Sequence, residues 1–333
     1  MEAQADRDAL IAMITGCWKT RVIGEAVRFG IFDRLQDGPA DADVLAGAVG
    51  GNADGVMRLL RALAVLGLVR HERGNRFALT PQGALLRRDA PDSLNGLAGH
   101  WATRMWASFA GIGESFETGE ASAPSGREHF AEQQADPAAS DIFNRAMAEG
   151  SLRVGRALAG AYDFSTCRMV MDVGGGYGAL LVGPLEAHTH LTGKLFDLPS
   201  LAEPALAYLA EQGVGGRVDY LGGSFFEAVP AAADCLLLKF ILHDWGDANS
   251  LVILRNIAAA LGEGRLLVIE RIVPETVGPA DEDVIRGDLT MLTVGGRERT
   301  EAEYRALLSA AGLRITGIKA VDRTFSLIEA RVA

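Results

Sequence analysis

The chain has 333 residues, 49% of them hydrophobic and 23% charged, enough apolar content for sizeable cores and too much for wholesale disorder. Its net charge of −11 works against a nucleic-acid partner, whose phosphates it would repel. Three scattered cysteines (Cys17, Cys167, Cys235) lack the spacing of a zinc site or a disulfide framework and read as buried or half-buried thiols.

The N-terminus is acidic, and the apolar stretch 9–18 is followed at once by Lys19 and Arg21. That order does not suit a signal peptide, and no run reaches the ~20 apolar residues of a membrane span, so a cytoplasmic amphipathic helix is expected. Residues 22–35 have helical spacing, Asp37-Gly38-Pro39 marks a turn, and 41–49 reads as a short helix. Asp54 is placed to cap the next helix, which carries Val56, Leu59, Leu60, Leu63 and Leu66 on one face and stops near Gly67. Two short apolar runs around a Gly74-Asn75 turn then suggest a β wing. Three helices and a wing form a winged-helix pattern, used either to bind DNA or to pair two chains. Residues 1–95 carry twelve basic and twelve acidic residues, so the acidity resides in the rest of the chain. A neutral module with large apolar helices favours self-association into a homodimer, each module completing its partner's acceptor site.

Residues 96–165 read as helical, with a polar, small-residue break at 119–140 and a long helix over 141–161. From residue 168 continuous apolar strands alternate with helices. The strands are expected at 169–173, 191–196, 218–221, 235–238 and 265–269, which implies a parallel sheet buried on both faces. Two last runs, 314–321 and 325–331, are joined by three residues and must be antiparallel. The expected domains are therefore 1–95, a helical segment 96–165, and 166–333.

Two motifs carry chemistry. Asp172-Val-Gly174-Gly175-Gly176 lies between a strand and a helix, with Asp197 about 20 residues on. Bare glycine backbone lets a ligand approach closely, and the distal acid suits a ribose, so a nucleoside-bearing cofactor is expected. The pattern by itself fits a nicotinamide cofactor or S-adenosylmethionine. Asp172 before Val-Gly, the helical segment ahead of the loop and the terminal hairpin favour the latter. The second motif runs from Lys239 to Trp245 and places His243 and Asp244 at a strand's C-terminal end, where ligands bind. A histidine there can take a proton near neutral pH, and Glu270 or Glu298 could hold its tautomer. His71, His100, His129, His188 and His190 have no such context, and 188–190 reads as a polar turn.

These residues together resemble the plant-type O-methyltransferase family, including bacterial members that modify aromatic natural products. The resemblance rests on Asp-Val-Gly-Gly-Gly at 172–176, Phe-Asp-Leu-Pro at 196–199, Gly-Gly-Ser-Phe-Phe at 222–226, Lys-Phe-Ile-Leu-His-Asp-Trp at 239–245 and Gly-Gly-Arg-Glu-Arg-Thr at 295–300. It implies an α/β fold: a Rossmann-like methyltransferase domain ending in an antiparallel hairpin, preceded by a winged-helix dimerisation domain. It implies S-adenosylmethionine held by Asp172, Gly174, Gly175, Gly176, Asp197, Leu198, Ser224, Phe225 and Lys239, with Asp197 on the ribose and Phe225 near the adenine, and no metal. His243 would be the general base, flanked by Glu270 and Glu298. Phe143, Met147, Asp244 and Met291 would meet a small aromatic substrate. One position departs from the pattern: Ser224 stands where many members have an acid, replacing a charged contact to the adenine amine by a hydroxyl. A nicotinamide-dependent oxidoreductase and a ligand-sensing winged-helix regulator are the alternative readings.

Overall fold

The computed structural model describes residues 2–123, 136–231 and 233–333. His129 and most of the 119–140 break lie outside them. The chain forms two compact units, Met1–Ala107 with Asp141–Glu149, and Ser108–Ser140 with Gly150–Ala333.

In the first unit, α1 (Glu2–Thr15), α2 (Cys17–Arg28), α3 (Ile31–Arg34), β1 (Ala40–Asp41), α4 (Ala42–Val49), α5 (Ala53–Val65), β2 (Val69–His71) and β3 (Arg76–Leu79) follow one another. The winged-helix pattern is present, with corrections. The helix expected over 22–35 is broken by Gly30, whose φ of 65° only glycine adopts without strain, and α3 starts anew after it. Asn52, not Asp54, caps α5: its extended backbone lets its side chain accept the Gly55 N–H. Asp54 already lies in the first turn and pairs with Arg58. The wing has a third strand, β1, antiparallel to β3 and too short to show a period. Ile31, Phe32, Leu60, Leu63 and Phe77 form the fully buried core. Cys17 is exposed, contrary to expectation, because it opens α2 on a solvent-facing side; Cys167 and Cys235 are buried. Met13 and Ile14 on α1 are 76% and 70% exposed in the single chain.

The helix α6 (Pro137–Ala161) runs through residues of both units. The second unit then winds β4 (Met169–Val173), α7 (Ala179–Ala187), β5 (Thr192–Asp197), α8 (Ala202–Glu211), β6 (Val218–Gly222), β7 (Cys235–Lys239), α9 (Asp247–Leu261), β8 (Arg265–Glu270), β9 (Ile272–Val273), α10 (Glu282–Val294), β10 (Arg299–Thr300), α11 (Glu301–Ala310), β11 (Leu313–Ala320) and β12 (Ser326–Val332). Seven strands form one sheet in the order β11-β12-β8-β7-β4-β5-β6. β4 to β8 are parallel; β12 is antiparallel to both β8 and β11, as the short connection requires. Met171, Val173, Leu236, Leu238, Leu266 and Val268 are wholly buried, at roughly 1.5–3 kcal/mol per large side chain. Two-sided burial is why these strands read as unbroken apolar runs.

The strand order carries a functional consequence. From β4 the chain moves outward to β5 and β6, then returns to place β7 on β4's other side. The C-terminal ends of β4 and β7 therefore flank a switch point, where open α/β sheets form a crevice that takes ligands. Both chemistry-bearing motifs follow these two strands.

Candidate active site at the sheet switch point

At the β4 end the backbone makes the site. Gly174 and Gly176 have φ of 71° and 58°, so the loop reverses tightly after β4. The Gly174 N–H donates to the Phe196 carbonyl at 2.8 Å, tying the loop to the end of β5. Asp197 accepts the Gly176 N–H at 2.8 Å on Oδ2 and the Leu198 N–H at 2.7 Å on Oδ1. Its carboxylate thus joins the two loops that would face a ribose. Burial raises its pKa, and those two N–H donors oppose the rise.

Asp172 lies beneath the loop, 2% exposed, with Oδ2 accepting no hydrogen bond. Burial lifts its carboxyl to about 7, with Lys239 pulling the other way. A Cβ at Gly175 would lie 2.3 Å from that same oxygen. Beyond β6, Ser224 Oγ accepts the Phe226 N–H at 3.3 Å. The Phe225 carbonyl accepts from Asn256 at 2.9 Å, and its ring packs against Phe226 and Trp245. Phe196, Gly223, Ser224 and Val229 line a cavity of about 280 Å³ here. Bare glycine backbone, an orphaned buried carboxylate oxygen, a half-buried acid at the next strand end and an adjacent cavity fit a nucleoside-bearing group.

At the β7 end charged side chains make the site. β7 stops at Lys239, and Phe240 turns with a φ of 55°, alone among the described non-glycine residues in having positive φ. Such strain collects at functional sites. His243 is not on the strand end, as the sequence suggested, but on the short 3₁₀ turn Leu242–Asp244, 4% exposed. Its ring stacks on Phe240, with centroids 4.4 Å apart. Nδ1 lies 3.1 Å from Glu298 Oε1 and 3.9 Å from Glu270 Oε2; Nε2 lies 3.4 Å from Asp244 Oδ1.

The two acids left open by the sequence therefore do different things. Glu298 orients the imidazole. Glu270 Oε1 accepts the N–H groups of Ile241 and Leu242 at 3.0 Å each, fixing the turn that presents it. Burial alone would lower the His243 pKa, but Glu298, Glu270 and Asp244 outweigh it and raise it to about 9. Burial lifts Glu270 to about 7 and Asp244 to about 6, and lowers Lys239 to about 8. Glu298 moves down despite burial, because His243 and Arg271 both press charge on it; Arg271 Nη1 donates to Oε1 at 2.9 Å.

Two residues of this end went unassigned in the sequence reading. Arg299, 1% exposed, donates to the carbonyls of Leu242 at 2.7 Å and Trp245 at 2.8 Å, and pairs with Asp247 at 2.8 Å. It clamps the His243 turn from behind. Gly296 lies so close that a Cβ would sit 2.0 Å from the His243 carbonyl, and the neighbouring Arg297 N–H donates to that carbonyl at 2.8 Å. The motif at 295–300 was visible, but nothing local tells that its arginine meets carbonyls more than 50 residues earlier.

Of the residues expected to meet the substrate, Asp244 stands beside the imidazole and Met291 is half-buried on α10. Phe143 and Met147 are half-buried one turn apart on α6, in the first unit, where the Phe143 ring meets His100 edge-on at 5.5 Å.

Comparison with known proteins identifies the family. Residues 113–314 match the O-methyltransferase domain model and residues 11–89 the O-methyltransferase dimerisation domain model. The chain is 36% identical to the phenazine O-methyltransferase PhzM of Lysobacter antibioticus over 326 residues, 97% of this chain and 95% of that protein. The solved structure of LaPhzM superposes with a TM-score of 0.93 at 35% identity, covering 98% and 99% of the two chains. The O-methyltransferase NcsB1 from neocarzinostatin biosynthesis, solved with S-adenosylmethionine and 2-hydroxy-5-methyl naphthoic acid, superposes at 0.78 with 30% identity over 95% and 96%. Fold and family match define a methyltransferase that draws on S-adenosylmethionine. The chain belongs to the O-methyltransferase family and is an S-adenosylmethionine-dependent O-methyltransferase carrying that family's dimerisation domain.

Proposed function

We propose that the protein methylates a hydroxyl group of a small, flat aromatic natural product, with His243 as general base. The observation that carries this reading is the buried His243–Glu298 pair at 3.1 Å, set at the sheet's switch point opposite the glycine loop. Gly174, Gly175, Gly176, Asp197 and Leu198 would hold the cofactor's amino acid and ribose portions, with Asp172 and Lys239 beneath them. Ser224 and Phe225 would face the adenine. The bound cofactor supplies an electrophilic methyl group.

A phenol has a pKa near 10, so little is ionised at neutral pH. His243, its Nδ1 held by Glu298, accepts the hydroxyl proton on Nε2 as the oxygen attacks. Glu298 and Glu270 stabilise the imidazolium that forms. Attack by oxygen on a cation disperses charge, so holding the oxygen ~3 Å from the methyl contributes more than an oxyanion hole would. Asp244, Phe143, Met147 and Met291 are proposed to contact the acceptor. The phenazine and naphthoate named for the relatives support a polycyclic or phenolic acceptor.

The exposed apolar side chains of α1 and the dimerisation-domain match support a homodimer formed through the N-terminal module. Three unbridged cysteines suit a reducing cytoplasm, and among the described residues no helix is long and apolar enough to cross a membrane.

The test is a methylation assay read by mass spectrometry over hydroxylated phenazines, naphthoates and phenolic acids. Mass gain on amine or aliphatic acceptors alone would overturn the acceptor class. Light scattering should give near twice 35.3 kDa for the intact chain; a fully active monomer would overturn the dimer.

A further inference from the structure

The buried end of the crevice has a charge pattern that the proposed mechanism leaves unexplained. Three acids converge on the imidazole from three elements: Asp244 on its own turn, Glu270 at the end of β8 and Glu298 after α10. One nitrogen or oxygen of His243, Glu270 and Glu298 lies within 4.8 Å of the others. The basic side chains nearby are Lys239 at the end of β7 and Arg271 after β8. The remaining charges are already committed. Arg299 pairs with Asp247, Arg297 pairs with Glu303, and Asp288 accepts the Glu298 N–H. Asp172 lies farther along, opposite Lys239. Asp244, Glu270 and Glu298 face only Lys239 and Arg271, and Glu270 Oε2 and Glu298 Oε2 lack a hydrogen bond, so this buried cluster favours a further positive charge. An imidazolium supplies that charge, and a sulfonium brought to the same crevice would supply it equally.

We propose that His243 stands protonated in the cofactor-free protein and gives up that proton when a sulfonium cofactor binds, so that the base is armed only once the methyl donor is in place. The inference rests on the reading of His243 as the base. Its physical cause is mutual exclusion: in a buried site two neighbouring cations disfavour one another strongly, and the imidazolium is the one able to leave as a proton to solvent. The elevated proton affinity of His243 agrees with it. A base locked as imidazolium would be useless at neutral pH; displacement by the donor frees it at the moment it is needed.

S-adenosylmethionine and S-adenosylhomocysteine differ by one methyl and by the sulfonium charge, which makes the test direct. Calorimetric titration of the full chain at about pH 7.5, in phosphate and in Tris, counts protons released on binding. About one-half to one proton should leave with S-adenosylmethionine beyond the count for S-adenosylhomocysteine. Affinity for the sulfonium compound alone should tighten by up to about tenfold per pH unit between pH 7 and 8.5. His243→Gln should bind both compounds and lose the difference. Equal proton counts in the wild type overturn the proposal without any variant. A difference that persists in His243→Gln also overturns it, and assigns the proton to another group such as Lys239. Turnover of His243→Gln is the separate arm: retained activity sinks the base reading whatever the proton count, whereas lost activity with equal counts sinks only this inference.

Discussion

The two ends of the crevice are built from different materials. At the β4 end, glycine backbone and one bridging acid, Asp197, make a surface that a ligand can press against. At the β7 end, His243, Glu270, Glu298, Arg271 and Arg299 make a buried network in which nearly every group is held by another. The first is a cradle, suited to holding a molecule. The second is a charge balance, suited to moving a proton. Substitutions at the two ends should therefore fail in different observables.

The largest expected effect is at the charged end. His243→Ala should lower kcat by about 10²–10⁴ without weakening cofactor affinity, which near pH 7.5 should if anything tighten for the sulfonium compound. Steady-state kinetics alongside calorimetry would show this split; a loss of affinity as large as the loss of kcat would erase the distinction between the ends. Next comes the clamp. Arg299→Met leaves the Leu242 and Trp245 carbonyls to share the single Ser250 hydroxyl and strips Asp247 of its partner, and should cost about 2–4 kcal/mol of stability, read by denaturant unfolding. An unchanged midpoint would mean the turn holds itself.

At the cradle end, Asp197→Ala should weaken S-adenosylmethionine by about 1–3 kcal/mol, with kcat at saturation changed much less than in His243→Ala. An unchanged dissociation constant would remove Asp197 from the ribose. The smallest effect is on pH-dependent stability. Asp172 titrates near 7 folded against 3.8 ordinarily, so the folded chain binds this proton more tightly than the unfolded one. Its ionisation therefore costs stability progressively as pH rises from about 4 to 7, with the full penalty above that range. Asp172→Asn should raise Tm by about 2–6 °C at pH 8 and by nothing near pH 4. A lower Tm at pH 8 would show that Lys239 depends on the Asp172 charge.

How legible each end was follows from the range of its contacts. The cradle was legible: glycines, strand and helix are contiguous from 169 to 187, and Asp197 ends the next strand, so spacing alone placed them. The strands of the sheet were legible for the same reason, since two-sided burial writes itself as unbroken apolar runs, and a three-residue link forces an antiparallel pair. The charged end was legible only as a set of candidates. His243 and its two acids could be named, but Glu270 and Glu298 looked equivalent.

The sequence by itself therefore determined most of the elements and the glycine loop with its distal acid, because these rest on local periodicity and short spacings, while its motifs from 172 to 300 carried the resemblance to the family. Tertiary structure alone decided which acid orients the imidazole and which fixes its turn. It also decided that Arg299 and Gly296 hold that turn from more than 50 residues away, and that His243 lies in a charge-balanced interior rather than at a strand's open end. The physical reason is that a hydrogen bond's partner and a group's desolvation depend on which strands the sheet brings side by side, and strand order leaves no mark on any single stretch of sequence.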